Sequence, residues 1–388
     1  MIDIQFSKDE LERYSRHLIL PEFNIEGQKK LKEARVLVVG SGGLGAPLLQ
    51  YLSAAGVGTI GIVDFDLVED SNLQRQVLFT QVDIGRPKVE VAKERIQKQN
   101  PHIKVLTYNL KFTSKNALEI ADGYDVIADG TDNFPTRYLV NDVSVLLNIP
   151  NVYASIFRFQ GQVTVFNYKN SNGVYGPNYR DLFPSPPDAN SVPSCAEGGV
   201  IGVLPGIIGA LQANEVIKVI SGIGDNLSGR LFLFDALNFE SRTLKIEKDK
   251  NNPLTGDNPS LKELVDYDAF CGVGAGEFLQ KDEVKEISAQ LLKSWLEGEE
   301  EIQLIDVREA FEYEIVNING QLMPQNEVSE RITEISAEIK VVVHCRTGKR
   351  SADVIEFLQD KYGYTNLYNL EGGILAWADK IDVSLPKY

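Results

Sequence analysis

At 388 residues the chain exceeds the size at which one hydrophobic core stops growing, about 250 to 300 residues, so two domains are expected. Apolar residues at 43% and charged residues at 24% exclude a largely disordered chain and describe an ordinary globular one. The formal charge of -16, with no basic stripe, argues against a nucleic-acid partner, and any anionic substrate must be held by a local cluster of cations.

Met1 to Gln5 carry no basic region followed by an apolar one, so no secretory signal is expected and the chain reads as cytoplasmic. Ser7 with Glu10 has capping-box spacing and predicts a helix running through Tyr14 and His17 toward Leu20. Val36 to Val39 is a short β-rich run, Ala46 to Ala55 a helix and Thr59 to Val63 a second strand, which makes a βαβ unit. The alternation continues with a helix after Pro87, strands near Val105, over Asp125 to Ala128 and near Val152, and a helix from Phe134. This predicts an α/β fold with a doubly wound, Rossmann-like, mostly parallel sheet.

From Gly161 the pattern changes to alternating strands, then to a Pro- and Ser-rich crossover over 175–195 and a helix over 207–220. The uncharged stretch 198–214 is interrupted by Pro205 and falls short of the roughly 20 residues of a membrane span. Gly, Asp, Asn and Pro dominate after a strand at 231–234 and its successor, placing a linker at 256–284 between a first domain, 1–255, and a second, 285–388. The second repeats an α/β pattern: helix 288–296, strands at 303–305 and 341–343, helix 351–358 and strand 366–368.

Gly40, Gly42, Gly43 and Gly45 lie in a turn between a strand and a helix, where backbone N–H groups and the helix dipole favour a polyphosphate. Asp64, at the end of the next strand, suits ribose hydroxyls. These residues indicate a nucleotide without naming it, and a nicotinamide dehydrogenase is the alternative. Downstream stand Ser71-Asn72-Leu73-Gln74-Arg75-Gln76, Gly85-Arg86-Pro87-Lys88 and Asp129-Gly130-Thr131-Asp132-Asn133, with Arg13-Tyr14-Ser15-Arg16 near the start. From Leu11 to about Thr255 this resembles the MoeB/ThiF/HesA adenylyltransferases, relatives of the ubiquitin-activating enzymes. The resemblance implies ATP, with Arg75 and Lys88 on the phosphates, Asn72 supporting them and Asp132 holding Mg2+. It further implies that Arg16 reaches the ATP site of a second copy in a homodimer. Transfer of a carboxylate to the α-phosphate suits that set, because fixed cations oppose the charge developing on phosphate. The family often binds zinc through two CxxC pairs, but Asn178 to Asp181 and Asn252 to Thr255 occupy those places, so no zinc is expected.

Three cysteines, Cys195, Cys271 and Cys345, are too few for a disulfide framework and suit a reducing compartment. In several relatives of the family a cysteine at the position of Cys195 links covalently to the carrier protein or its sulfur; a small buried hydrophobe is the other reading. Cys271, without cationic neighbours in the sequence, reads as structural. Cys345 opens the loop Cys345-Arg346-Thr347-Gly348-Lys349-Arg350 between a strand and a helix, where loop N–H groups, the helix dipole and three cations favour a thiolate or persulfide. A cysteine phosphatase would place an arginine at position 351, which here is serine. With Asp306-Val307-Arg308-Glu309 and Glu371-Gly372-Gly373-Ile374, the region 285–382 resembles a rhodanese domain. Together the two resemblances imply ATP-dependent adenylation of the C-terminal glycine of a ubiquitin-like sulfur carrier ending in Gly-Gly. A persulfide on Cys345, filled by a donor such as a cysteine desulfurase, would then yield the thiocarboxylate used in molybdopterin or thiamine thiazole synthesis.

Overall fold

Strand β1, Arg35–Val39, shows how the first sheet is built. Val36 and Val38 pack with Leu48, Leu49 and Leu52 of the helix Gly45–Ala55 and with Val89 and Ile96 of the helix Lys88–Gln99. Leu37 and Val39 face the opposite way, into a cluster with Tyr138, Leu139 and Val143 of the helix Phe134–Leu147. A strand buried on both faces needs apolar residues at every position and helices on either side, which is why this run lacks polar alternation.

The computed structural model describes residues 5–186, 198–271, 284–298 and 301–388, and divides the chain into two units, Met1–Glu277 and Phe278–Tyr388. The first unit holds an eight-stranded sheet. Its further strands are β2 (Thr59–Val63), β3 (Lys104–Tyr108), β4 (Val126–Asp129), β5 (Asn151–Phe157), β6 (Gln160–Phe166), β7 (Arg230–Asp235) and β8 (Glu240–Lys245), in the order β3-β2-β1-β4-β5-β6-β7-β8. Strands β3 to β5 are parallel, and β6, β7 and β8 extend the sheet as antiparallel neighbours. The chain order reverses between β1 and β4, so the carboxyl ends of these two strands frame a crevice. The helix Leu204–Ser221 braces this junction: Gln212 Nε2 donates to the carbonyls of Asp129 (2.7 Å) and Val152 (2.8 Å).

At the N-terminus the expected single helix is two short ones, Lys8–Arg13 and Ser15–Leu18. The capping box at Ser7 forms as expected, but Tyr14 leaves the helical region at φ -93° and ψ 8°. Its buried hydroxyl accepts a hydrogen bond from Asn100 Nδ2 (2.8 Å), and this tertiary anchor breaks the run.

In the second unit, β9 (Glu286–Ile287), β10 (Ile302–Asp306), β11 (Gln321–Leu322), β12 (Lys340–His344) and β13 (Leu367–Leu370) form a parallel sheet ordered β11-β10-β12-β13-β9. Cys345 follows the central strand. Among the described residues no helix is long and apolar enough to cross a membrane.

The chain after β8 folds back onto the first unit. Tyr267 and Cys271 join the cluster around Tyr138, and Tyr267 Oη donates to Asp142 Oδ2 at 2.6 Å. Asp142 also takes two hydrogen bonds of 2.8 Å from the buried Arg180 guanidinium. Burial pushes the Cys271 thiol up to about 11, as suits a structural cysteine, although Arg180 opposes it as a cationic neighbour visible only in space.

The segments Asn178 to Asp181 and Asn252 to Thr255, where the resemblance leads to an expectation of no zinc, hold a hydrogen-bonded quartet. Asn252 Nδ2 donates to Asn178 Oδ1 (3.2 Å) and Asp181 Oδ1 (2.7 Å), and Asn178 Nδ2 donates to Thr255 Oγ1 (2.9 Å). Amide and hydroxyl groups already paired with one another are poor zinc ligands, and among the described residues no group of three or more His, Cys, Asp or Glu could hold a metal ion. The quartet ties the start of the crossover to the end of the sheet domain through hydrogen bonds between its side chains. Replacing the buried Asn252 by Ala strands its partners and is expected to lower stability by about 1–3 kcal/mol. Denaturant titration measures the loss, and in the same assay a chelator is expected to leave the wild-type midpoint unchanged.

Candidate functional site

The turn after β1 begins at Gly40, whose φ of 89° is a left-handed conformation open to glycine. A Cβ on Gly40 would stand 2.9 Å from the carbonyl oxygen of Gly130, and one on Gly45 would stand 2.1 Å from that of Gly40. These contacts leave room only for hydrogen, so the turns after β1 and β4 meet backbone to backbone. Above them opens a cavity of about 430 Å3. Gly40, Gly42, Gly43, Asp64, Arg75, Lys88 and Asp132 all line it, so sequence-distant cations and carboxylates face one glycine turn.

Each side chain is held by its neighbours. Asp64 Oδ2 accepts from the Ser41 N–H and hydroxyl, both at 2.8 Å, and Oδ1 from the Asp66 N–H at 2.9 Å. The carboxylate is thus fixed against the turn, and each oxygen retains capacity for a further donor. Lys88 is buried, with Nζ 2.9 Å from Asp66 Oδ2. Arg75 Nη1 donates to the Ser71 carbonyl at 2.9 Å. Asn72 does not line the cavity: its Oδ1 accepts the Glu69 N–H (3.2 Å) and caps the short 3-10 turn Asp70–Asn72, which leads through Leu73 and Gln74 to Arg75. Gly45 opens the helix beneath the turn. Arg16 is exposed on Ser15–Leu18 and lies outside this cavity.

Several lining residues were not assigned from sequence. Arg137, in the first turn of the helix Phe134–Leu147, is buried, lines the cavity and donates from Nη2 to the Thr131 carbonyl at 3.3 Å. Its position one turn after Asn133 is the signal that could have found it. Asp129 is fully buried, and burial pushes its carboxyl up while Arg137 opposes the shift. Its Oδ1 accepts from the Thr131 N–H (3.0 Å) and hydroxyl (2.5 Å), which shapes the loop leading to Asp132. Gln76 and the Lys111–Asp268 ion pair (3.0 Å) complete the wall, and Asp268 comes from the segment expected to be linker.

In the second unit Cys345 is fully buried. Its Sγ accepts from the Gly348 N–H at 3.2 Å and lies 3.4 Å from the Ser351 hydroxyl, so the serine that stands where a phosphatase needs arginine touches the sulfur. Gly348, at φ 95°, turns the loop into the helix Lys349–Tyr362. Thr347 and Lys349 are exposed. Arg350 is committed to Glu312, through two hydrogen bonds of 2.7 Å, and Arg346 Nε donates to the main-chain oxygen of Tyr388. Burial disfavours the Glu312 carboxylate, yet Arg350 and the Glu309 N–H hold its carboxyl below the usual range. Glu312 and Tyr388 had no sequence signal, since neither adjoins the loop in the chain. Cys195 lies outside the described residues.

The ThiF family model matches residues 14–255 and the rhodanese-like domain model matches residues 288–380. The chain is 46% identical over 385 residues to the "Probable adenylyltransferase/sulfurtransferase MoeZ" of Mycobacterium tuberculosis, covering 98% of this chain and 96% of that one. It is 53% identical over 270 residues to the sulfur carrier protein adenylyltransferase of Thermus thermophilus, covering 70% of this chain and all of that one. Adenylyltransferase and sulfurtransferase MOCS3 of Xenopus laevis is 41% identical over 403 residues, 97% of this chain and 88% of that one. In fold, the Escherichia coli MccB crystal structure aligns over 65% of this chain and 76% of its own, with a TM-score of 0.57 at 24% identity.

Behind Cys345, burial holds the fully enclosed His344 imidazole down to about 4, although Asp306, at 3.7 Å, favours its charge. The unfolded chain takes up this proton near 6.5 and the folded one only near 4. Stability is therefore intact above that window and falls as pH drops through it, by up to about 3 kcal/mol. Both tryptophans, Trp295 and Trp377, belong to this unit, so denaturation followed by their emission should show the slope in the wild type and its loss in His344→Asn.

Proposed function

Because the chain belongs to the ThiF family, with a rhodanese-like domain at its C-terminus, we propose that it adenylates the C-terminal glycine of a ubiquitin-like sulfur carrier and supplies sulfur from Cys345. The observation that carries the reading is the convergence of Arg75, Lys88 and Asp132 on the cavity over the Gly40 turn. In this reading ATP lies with its ribose toward Asp64 and its phosphates toward the N–H groups of the turn. Arg75 and Lys88 oppose the charge that builds on the α-phosphate and the departing pyrophosphate as the carrier carboxylate attacks. Arg137, buried beside Asp129, adds a third fixed cation to this wall. Asp132 is an exposed carboxylate at the cavity, and one carboxylate beside substrate phosphates is the donor set Mg2+ takes. Magnesium held there would neutralise phosphate charge. The dehydrogenase alternative gives way, since the relatives matched along the chain are named for adenylyl transfer.

The acyl-adenylate then meets a persulfide on Cys345. Its outer sulfur attacks the acyl carbon, AMP departs with the bonding electrons, and the carrier is left joined to Cys345 through an acyl disulfide. A second thiol opens that S–S bond, forming a disulfide with Cys345 and releasing the carrier thiocarboxylate. Cys195, by its sequence context, is the candidate thiol within the chain. A cysteine desulfurase is a fitting sulfur source, and a reducing cytoplasm keeps these thiols available. Molybdopterin and thiamine thiazole synthesis both consume such a thiocarboxylate.

Carrier-dependent exchange of ATP with pyrophosphate, alongside the intact mass of the carrier, separates the two halves. Asp132→Ala is expected to abolish exchange. Cys345→Ser should exchange as the wild type does while leaving the carrier without sulfur; loss of exchange in this variant, or sulfur transfer by it, would refute the division of labour.

Exposure of Arg16 outside its own cavity supports its delivery to a second copy, which gives a homodimer with shared sites. Arg16→Ala and Asp132→Ala chains should each be inactive alone. Co-expressed, they are expected to regain roughly a quarter of wild-type exchange, because half the dimers are mixed and each mixed dimer holds one intact site. Absence of complementation would place Arg16 elsewhere.

A further inference from the structure

The sulfur loop presents a difficulty for the function proposed above. Cys345 is fully buried, yet the sulfur it carries must reach a carrier protein. The loop's own cations do not open a path. Arg350 is gripped by Glu312, and Arg346 is turned to Tyr388.

Tyr388 draws these elements together. Its ring lies 5.4 Å from the Arg346 guanidinium and 5.7 Å from that of the buried Arg308, within cation–π range of both. Its hydroxyl donates to Glu312 Oε1 at 3.2 Å and accepts from Arg308 Nη1. Glu312 in turn holds the far end of the sulfur loop through Arg350. One aromatic side chain therefore joins the first cation of the loop, Arg346, to the carboxylate that fixes the last, Arg350. Burial pushes the phenol up to about 12, so it stays protonated and able to donate across the physiological range.

Arg308 is the fixed base of this arrangement. Asp306 holds its Nε at 2.9 Å, and the Glu312 and Val316 carbonyls accept from its Nη1 (3.3 Å) and Nη2 (2.8 Å). An element anchored to such a base and tied to both ends of a short loop limits how far that loop can open.

We propose that Tyr388 is a positioning residue of the sulfur loop: by bridging Arg346 and Glu312 it holds the loop closed over Cys345, and sulfur leaves Cys345 only when this bridge is released. The proposal rests on Cys345 as the sulfur-bearing thiol, but its test needs neither carrier nor ATP, so failure of the bridge and failure of the adenylation reading are told apart.

The full-length chain is reduced and alkylated with iodoacetamide, and the rate at Cys345 is read from its peptide by mass spectrometry as a function of pH. Tyr388→Ala is expected to raise the high-pH plateau rate about tenfold, because the side chain joining Arg346 to Glu312 is gone and only the main-chain bond to Arg346 remains. Tyr388→Phe keeps the ring over both arginines but loses the hydroxyl that reaches Glu312, so its rate is expected to fall between those of the wild type and Tyr388→Ala. Emission from Trp295 and Trp377 reports whether the unit remains folded. If Tyr388→Ala shifts that emission, the decision passes to Glu312→Gln, which removes the charge gripping Arg350 and is likewise expected to speed alkylation. Plateau rates equal to wild type in folded Tyr388→Ala, or in Glu312→Gln where that variant decides, overturn the proposal.

Discussion

The backbone contact between the turns at Gly40 and Gly130 is the constraint on which the first unit depends. A Cβ on either residue would come within 3 Å of the other's carbonyl oxygen. Two parallel strands that diverge in chain order leave a crevice at their carboxyl ends, and here the crevice floor is bare peptide. Peptide N–H groups can then face a ligand directly, and side chains from later segments arrive as walls. Arg75 and Lys88 come from the segments after β2, Asp132 from the turn after β4, and Asp268 from the stretch beyond β8. Any residue larger than glycine at the floor would push these walls apart.

The two units use cations in opposite ways. In the first, Lys88 is buried with one partner, Asp66, and both line the cavity, so the pair remains available to a polyanion. In the second, Arg350 is matched bidentately by Glu312, and Arg308 by Asp306, so little positive charge is left uncommitted beside the sulfur. Breaking such pairs within a low-dielectric interior is costly. The first arrangement suits a substrate that brings several negative charges and leaves after each turnover. The second suits a small sulfur species carried on a fixed thiol, whose surroundings stay ordered until the loop opens.

What could be read in the sequence follows from how locally each feature is determined. The glycine turn, Asp64, Lys88 and Asp132 sit at strand or helix ends, where chain position alone predicts the side of the sheet they reach. The loop from Cys345 to Arg350 was legible for the same reason. Arg137 stands on a helix turn whose facing is set by packing against Tyr153, and Glu312 and Tyr388 meet the loop only through tertiary contacts. The break at Tyr14 has the same origin: local periodicity favours one helix, and a single buried hydrogen bond to Asn100 overrides it. Asn178, Asp181, Asn252 and Thr255 were legible only as missing thiols, and their mutual pairing emerges when distant segments meet.

A persulfide is a stronger nucleophile than a thiol and is more readily oxidised, so the burial of Cys345 has a chemical consequence. An open cradle would leave the sulfur to any passing electrophile or oxidant. A closed one restricts it to acceptors that arrive while the loop is open, and the acyl-adenylate made at the first site is such an acceptor only after ATP has been spent. In the proposed reading, selectivity arises from order rather than from recognition by the sulfur itself: activation creates the electrophile, and enclosure keeps the nucleophile from reacting before it appears. Joining both activities in one chain keeps their stoichiometry at one sulfur loop for each adenylation site, which two separate proteins would have to maintain by expression and binding.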